Sequence, residues 1–259
     1  MITTYSSFYY GHAITEDNRY ICIVEGTDPE IIAAISIGNY SLTKFVQKVE
    51  QALNDAGLLT YTVTLNRTTG IITIGASGAF KILGVTGTRS GQQALSKMGF
   101  LSLDTALSTS HIGSFRSGSV YEPQFLLQDY VDPRHNKSLA NATVSKSADG
   151  SKVSIQSFGE VRLMKCNIRF ATNQVTDPTV IKYNPQGVED LTAFLEYCVT
   201  GSPIEFMPDL NTPETYYRVR LDSTEVSQDG IEFELKERYD LGLPYYFDSG
   251  KLIFRLVTE

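Results

Sequence analysis

Apolar residues change period between residues 42 and 75, and the elements on either side are arranged around that change. Leu42, Phe45, Val46, Val49 and Leu53 recur at helical spacing, with Lys44, Gln47, Lys48, Glu50, Gln51 and Asn54 between them. Residues three and four apart share one face of a helix, so the spacing predicts an amphipathic helix over 42–56. Ser41 is placed to cap its first turn, because a hydroxyl there accepts from an unpaired amide. Gly57 is expected to stop it in the left-handed conformation that costs glycine least. From residue 59 the period is two. Leu59, Tyr61, Val63 and Leu65 alternate with threonines, which predicts a hairpin over 59–75 turning at 66–70 (NRTTG), followed by a third short strand. A hairpin alone is marginal in water, so helix and hairpin need each other and more sheet besides.

Upstream, 3–10 and 19–25 read as strands joined by a polar turn over 11–18, and 30–37 reads as a third strand. Downstream, 75–91 is rich in glycine, serine and threonine, and a short helix is expected over 92–98, with Ala94, Leu95 and Met98 on one side. This makes an N-terminal α+β domain, 1–107. Residues 108–119 (STSHIGSFRSGS) are small and polar, and read as a linker or as an arm ordered by a neighbouring subunit.

The C-terminal domain, 120–259, is expected to be a β-sandwich or barrel with one helix. Its strands are 122–132, a hairpin of 143–146 with 152–156 around an Asp-Gly step, and 161–170. A change of parity in the last implies a bulge near Leu163, or burial of both faces there. A helix over 185–199 is signalled by Asn184 as cap and Pro185 in the first turn. Its stripe is Val188, Leu191, Leu195 and Cys198, with Phe194 beside it. Strands at 204–207, 216–221, 231–235 and 252–257 complete the domain. The fold class is therefore α+β and β-rich: two domains of mostly antiparallel sheet or sandwich, each with one main amphipathic helix.

With 259 residues, 42 % hydrophobic and 20 % charged, the chain is long enough to bury one or two real cores. A net charge of −7 argues against a dedicated nucleic-acid binder. Cys22, Cys166 and Cys198 each lie in an apolar run and read as buried free thiols. Neither a charged-then-apolar leader nor a run of about 18 apolar residues is present, so assembly in a reducing cytoplasm is expected, with no membrane contact.

Candidate chemistry is sparse. His12, His111 and His135 are far apart, and Asp129, Asp132 and His135 (in DYVDPRH) are interrupted by Pro133, so a solvated loop is favoured over a metal site. Residues 75–78 (GASG) and 84–87 (GVTG) lack the lysine and helix of a phosphate cradle. Glu232, Glu234 and Glu237 are the carboxylates a glycosidase pair would need, but the first two alternate with apolar residues as a solvated strand face does. No catalytic residue, cofactor site or metal site is assigned, and the chain is not expected to be an enzyme. Arg162, Arg169, Arg218 and Arg220, with Tyr216 and Tyr217 nearby, read either as a subunit interface or as an ordinary charged sheet surface.

Residues 38–41 (GNYS), 61–64 (YTVT), 69–74 (TGIITI), 80–84 (FKILG) and 99–100 (GF), in that order around the helix, resemble a module of structural proteins of double-stranded DNA viruses and tailed bacteriophages. The tract 162–236, with its long strand, helix, PIEF, YYRVRL and FELKE, is similar to the tail-tube-like fold of phage tail proteins. The resemblance implies a structural subunit of a phage tail (baseplate, tail tip or adaptor), assembled in the host cytoplasm and carried in the virion. It implies a homo-oligomeric ring, hexameric or trimeric, that joins the tube to hub or fibre proteins, with no cofactor and no sequence-specific nucleic acid. Arg116, Tyr130, Arg134, Tyr216, Arg218 and Arg220 are the expected interface residues. The alternative is a receptor- or carbohydrate-binding module.

Overall fold

The computed structural model describes residues 7–121, 125–131, 137–139, 143–146, 153–156, 160–169, 171–172, 188–209, 212, 214–228, 230, 232–237 and 246–257. In chain order the first half carries β1 (Ser7–Tyr10), β2 (His12–Ile14), β3 (Tyr20–Glu25), β4 (Ile31–Ala34), β5 (Gly38–Tyr40), α1 (Leu42–Ala56), β6 (Tyr61–Asn66), β7 (Ile71–Ile82), β8 (Ser108–Ile112) and β9 (Ser119–Tyr121). The second carries β10 (Phe125–Val131), β11 (Lys137–Leu139), β12 (Thr143–Lys146), β13 (Val153–Gln156), β14 (Glu160–Arg169) and β15 (Ala171–Thr172). Then come α2 (Val188–Val199), β16 (Ile204–Met207), β17 (Tyr217–Thr224), β18 (Lys236–Glu237), β19 (Tyr246–Asp248) and β20 (Lys251–Leu256). Every strand ladder described is antiparallel, and the protein is α+β and β-rich. Contacts divide the chain into two units, residues 1–121 with 202–216, and residues 122–201 with 217–259.

In the first unit α1 runs as its apolar spacing dictates. Ser41 caps it, its hydroxyl accepting from Lys44 N at 3.4 Å. Phe45, Val49 and Leu53 are fully buried against Ile21, Ile23, Ile72, Ile74, Phe80 and Ile82 of the sheet. That sheet runs β4-β3-β7-β6, with β8 also on β7. A second ladder places β1 between β16 and β9, and a third pairs β2 with β5.

Several expectations for this unit are corrected. Gly57 is not left-handed: its φ is −87°. A Cβ there would lie 2.5 Å from Glu25 Oε1 and 2.7 Å from a Tyr61 ring carbon, so the position is glycine for want of space. The hairpin is 61–66 with 71–82, and the expected third strand is the continuation of β7. Its Gly and Ser residues mark close approach rather than a loop: Ser77 N donates to Thr60 O at 2.9 Å, and Ser77 Oγ accepts from Thr60 N. The expected helix over 92–98 is a short 3₁₀ turn, Ser90–Gln92, followed by one further turn in which Met98 N donates to Ala94 O at 3.0 Å. Ala94, Leu95 and Met98 are nonetheless fully buried. The strands near residues 7–10 and 20–25 do not pair with each other; β2 lies between them in sequence, and β1 takes β16 and β9 as partners. Residues 108–119, expected as linker or arm, begin with β8 and end at β9, both paired within this unit. Residues 202–216, expected in the second domain, group with this unit through β16.

In the second unit β10-β14-β20-β17 form one ladder series, with β11 also on β14. β12 pairs with β13 in the register the Asp-Gly step predicts, and β15-β19-β18 make a small sheet. Met164, Cys166, Ile168, Leu252 and Phe254 are all fully buried on one face, together with Val219 of β17, and Leu221 beside them is nearly so. Leu191, Phe194, Leu195 and Cys198 of α2 are buried as its stripe requires. Asn184 and Pro185 lie outside the described residues. Pairing of β14 with β20 is regular from Leu163 to Asn167, so the expected bulge near Leu163 is absent; the irregularity lies in β10, between Leu127 and Val131. Residues 232–235, expected within a strand over 231–235, are irregular, and pairing starts only at Lys236.

Candidate functional site

Three polar groupings stand out, two in the first unit and one in the second. The first is built on Glu205, an acid inside the wholly buried β16 (IEFM). Its side chain is fully buried and both carboxylate oxygens are engaged. Oε1 accepts from Thr43 N at 2.7 Å, in the first turn of α1, where unpaired amides and the helix dipole both favour an anion. Oε2 pairs with Arg67 Nη1 at 2.9 Å. Arg67 also donates to Thr43 Oγ1, and its guanidinium lies 3.7 Å from the Tyr216 ring centroid. Tyr9 Oη donates to Arg67 O at 3.2 Å, and Arg116 lies over the Tyr9 ring at 5.6 Å.

The cluster joins a helix start, the β6–β7 turn, β1 and β16, and so holds residues far apart in sequence. A buried ion pair of this kind contributes less than its Coulomb energy suggests, but removing one partner strands the other. Two expected interface residues, Arg116 and Tyr216, meet here. Sequence reading missed Arg67 and Glu205. A carboxylate between Ile204 and Phe206 was the available signal, whereas Arg67 looks like any exposed turn residue.

The second grouping is the end of the first unit where the β3–β4 turn meets the C-terminus of α1. Glu25, 4 % exposed, accepts from Leu58 N at 3.0 Å, Leu59 N at 3.2 Å and Tyr61 Oη at 2.9 Å. Burial, then the Glu25 carboxylate, hold the Tyr61 phenol well above its ordinary range. Asp28 and Asp55 are exposed at this end, the last turn of α1 carries no basic residue, and Leu58 is 85 % exposed.

The third is the outward face of β14-β20-β17. Directly opposed residues share a face in antiparallel sheet. Register therefore groups Leu163, Lys165 and Asn167 with Arg255, Ile253 and Lys251, and places Arg220 opposite Arg255. Arg218 follows by alternation on β17, and Asp222, at a register shift between Leu221 and Ser223, is placed on the face by its ion pair with Arg255. Arg218 and Arg220, expected at an interface, thus belong to this face. Arg162 has the parity of buried Met164, off the face. Tyr130 lies in β10 with its side chain outside the described residues, as is that of Arg169, and Arg134 lies outside them altogether.

The histidines and cysteines of described side chains, His12, His111, Cys22, Cys166 and Cys198, are buried. His12 is fully buried, stacks on Phe45 at 4.4 Å, and has no hydrogen-bond partner on either ring nitrogen among the described residues. Burial, then the charge of Lys97, bring its pKa down to about 3. His111 Nε2 lies 2.9 Å from Phe80 O. Burial, with Glu30 adding to it, pushes the Cys22 thiol up to about 11, and burial raises the Cys166 and Cys198 thiols further, so all three stay protonated at neutral pH. Glu232 and Glu234 are exposed beside a shallow depression with Val226 and Phe233. Among the described residues no three His, Cys, Asp or Glu side chains are arranged to hold a metal, and no helix is long and apolar enough to cross a membrane. His135 and Asp132 lie outside the described residues, as does the Asp129 side chain.

These features define a class, a β-rich α+β protein of two antiparallel units. No protein-family model matches the chain, and no curated protein is significantly similar to it.

Proposed function

We propose that the chain is a structural subunit of a bacteriophage tail, assembling with copies of itself into a ring that joins the tube to hub or fibre proteins. Support comes from an apolar rim on the first unit. Leu101, Leu103 and Ile112 border a depression of about 230 Å³ and are 52 %, 57 % and 67 % exposed. Val85 is 58 % exposed; its amide donates to Asp104, which lines the same depression. Solitary soluble proteins seldom leave large apolar side chains grouped in this way, whereas assembly subunits bury them against neighbours. β8, which carries Ile112, has β7 as its only strand partner among the described residues, and a strand edge without a partner is a template on which a neighbouring chain can pair.

A carbohydrate-binding module would instead present aromatic faces. Among residues of described exposure, Phe115 is the one aromatic more than a third exposed. That weighs against this alternative.

Analytical ultracentrifugation and negative-stain imaging of the purified protein test the proposal. Closed rings, or incorporation into rings when tail proteins are co-expressed, are expected. A protein that stays monomeric in both settings overturns it, and glycan binding by that monomer would favour the carbohydrate-binding alternative.

A further inference from the structure

The outward face of β14-β20-β17 carries Lys165, Arg218, Arg220, Lys251 and Arg255 in a chain whose 22 basic residues are outnumbered by 29 acidic ones. Arg220 stands directly opposite Arg255, and like charges so placed destabilise a sheet unless compensated. Asp222 compensates one of them, at 2.6 Å from Arg255 Nη2. Arg220 is exposed and has no ion-pair partner among the described residues. At the face's other end, Glu225 pairs with Lys236 and accepts from Lys251 N at 3.0 Å. Half-buried Ile253 and Leu163 lie among the cations.

The end of the first unit that carries Asp28, Asp55 and exposed Leu58 is its opposite in kind. There the negative pole of α1 adds to the two carboxylates, and no basic residue in the last turn answers them.

We propose that the basic face of one copy docks the acidic end of the first unit of a second copy, Leu58 meeting the Ile253–Leu163 apolar centre. This rests on the reading of the chain as a self-assembling subunit, and makes the contact heterologous, the kind from which rings are built. A second copy fits better than a nucleic acid, because the net charge of −7 repels a polyanion at longer range and Asp222 sits among the arginines.

Sedimentation of the full chain at 50 and 500 mM NaCl, with four variants, tests it. Added salt shortens the reach of charges and is expected to weaken association. Arg220→Glu with Lys165→Glu is expected to lower the association constant at least tenfold, and Arg220→Gln to lower it by less. Asp28→Lys with Asp55→Lys is expected to match the first loss, and the chain carrying all four reversals to regain most of it. Circular dichroism confirms folding, and the single Arg220→Gln variant decides if a double variant fails to fold. A wild-type chain that assembles while every reversal leaves association unchanged overturns the docking alone. A wild-type chain that is monomeric at every concentration, alone and with tail proteins, overturns the assembly reading as well. Loss of binding to labelled single-stranded DNA in Arg220→Glu with Lys165→Glu, with self-association intact, overturns the docking in favour of a polyanion.

Discussion

The two units bury their sheets by different means. In the second, the buried face of β14-β20-β17 is lined by Met164, Cys166, Ile168, Leu252, Phe254, Val219 and Leu221, with Thr224 opposite Leu252, and the cations Lys165, Arg220, Lys251 and Arg255 lie on the other face. In the first, an equally apolar core is crossed by buried polar groups: Glu205 with Arg67, Glu25 under the end of α1, and His12 on Phe45. Apolar alternation gives a strand a face but not a partner. A buried charge with one acceptable counterpart also specifies which segment lies beside which. This accounts for the distant residues 202–216 joining the first unit.

The sharpest way to break this difference is to remove Glu205. Glu205→Ala leaves the 9 %-exposed Arg67 without its carboxylate, and is expected to cost about 3–5 kcal/mol in urea unfolding. Glu205→Leu combined with Arg67→Met is expected to recover most of the loss, since the pair is then replaced by apolar groups of similar size. A cost below about 1 kcal/mol for Glu205→Ala would show that the cluster does not hold the unit together.

His12 gives the first unit an acid sensitivity. Its folded pKa, about 3, lies below the unfolded value of 6.5, so its contribution is complete above pH 6.5 and drains away as pH falls toward 3. At about 1.4 kcal/mol per pH unit the loss reaches about 2 kcal/mol at pH 5. His12→Leu is expected to flatten stability between pH 7 and 5 by that amount. The position tolerates little more bulk, because a Cβ on Gly118 would lie 2.3 Å from His12 Nε2. An unchanged slope would mean that His12 does not titrate there.

Local pattern carried most of the secondary structure. The bounds of α1, the β6–β7 turn, the β12–β13 register and β16 follow from spacing, caps and turn residues. What escaped the sequence depends on distant neighbours. Gly57 has the composition of a left-handed cap, yet its conformation is extended and its requirement is space beside Glu25 and Tyr61. Residues 75–78 and 108–112 are too small and polar to read as strands, but each finds a partner that completes its ladder. Residues 231–235 alternate cleanly, yet 232–235 are irregular. The outward placement of Arg218 and Arg220 was legible from alternation alone, whereas Tyr216 has its setting from Arg67 and Arg116 lies over Tyr9, neighbours that spacing does not foretell. Gly57→Ala separates the two accounts of that glycine. In an unhindered extended position alanine would stabilise by about 0.4–1 kcal/mol through the unfolded chain. Against a Glu25 carboxylate already fixed by Leu58, Leu59 and Tyr61, it is expected to cost about 1–3 kcal/mol instead.

The smallest expected effect tells most about the second unit. Its outward face places Arg220 against Arg255 with Asp222 paired to Arg255, so among the described residues Arg220 is left without an acid. Arg220→Glu turns a like-charge cross-strand pair into an opposite one and is expected to stabilise the monomer by about 0.2–1 kcal/mol at low salt, the gain shrinking as salt is added. A first-unit substitution such as Glu205→Ala lowers stability and touches assembly only through folding. Arg220→Glu should raise stability while lowering self-association, an opposition of signs that no purely structural role produces. Thermal melts below the dissociation constant, set beside sedimentation above it, measure both quantities on one protein. If the substitution destabilises the monomer, Arg220 is already satisfied within its own chain, and the basic face has no charge left over for a partner.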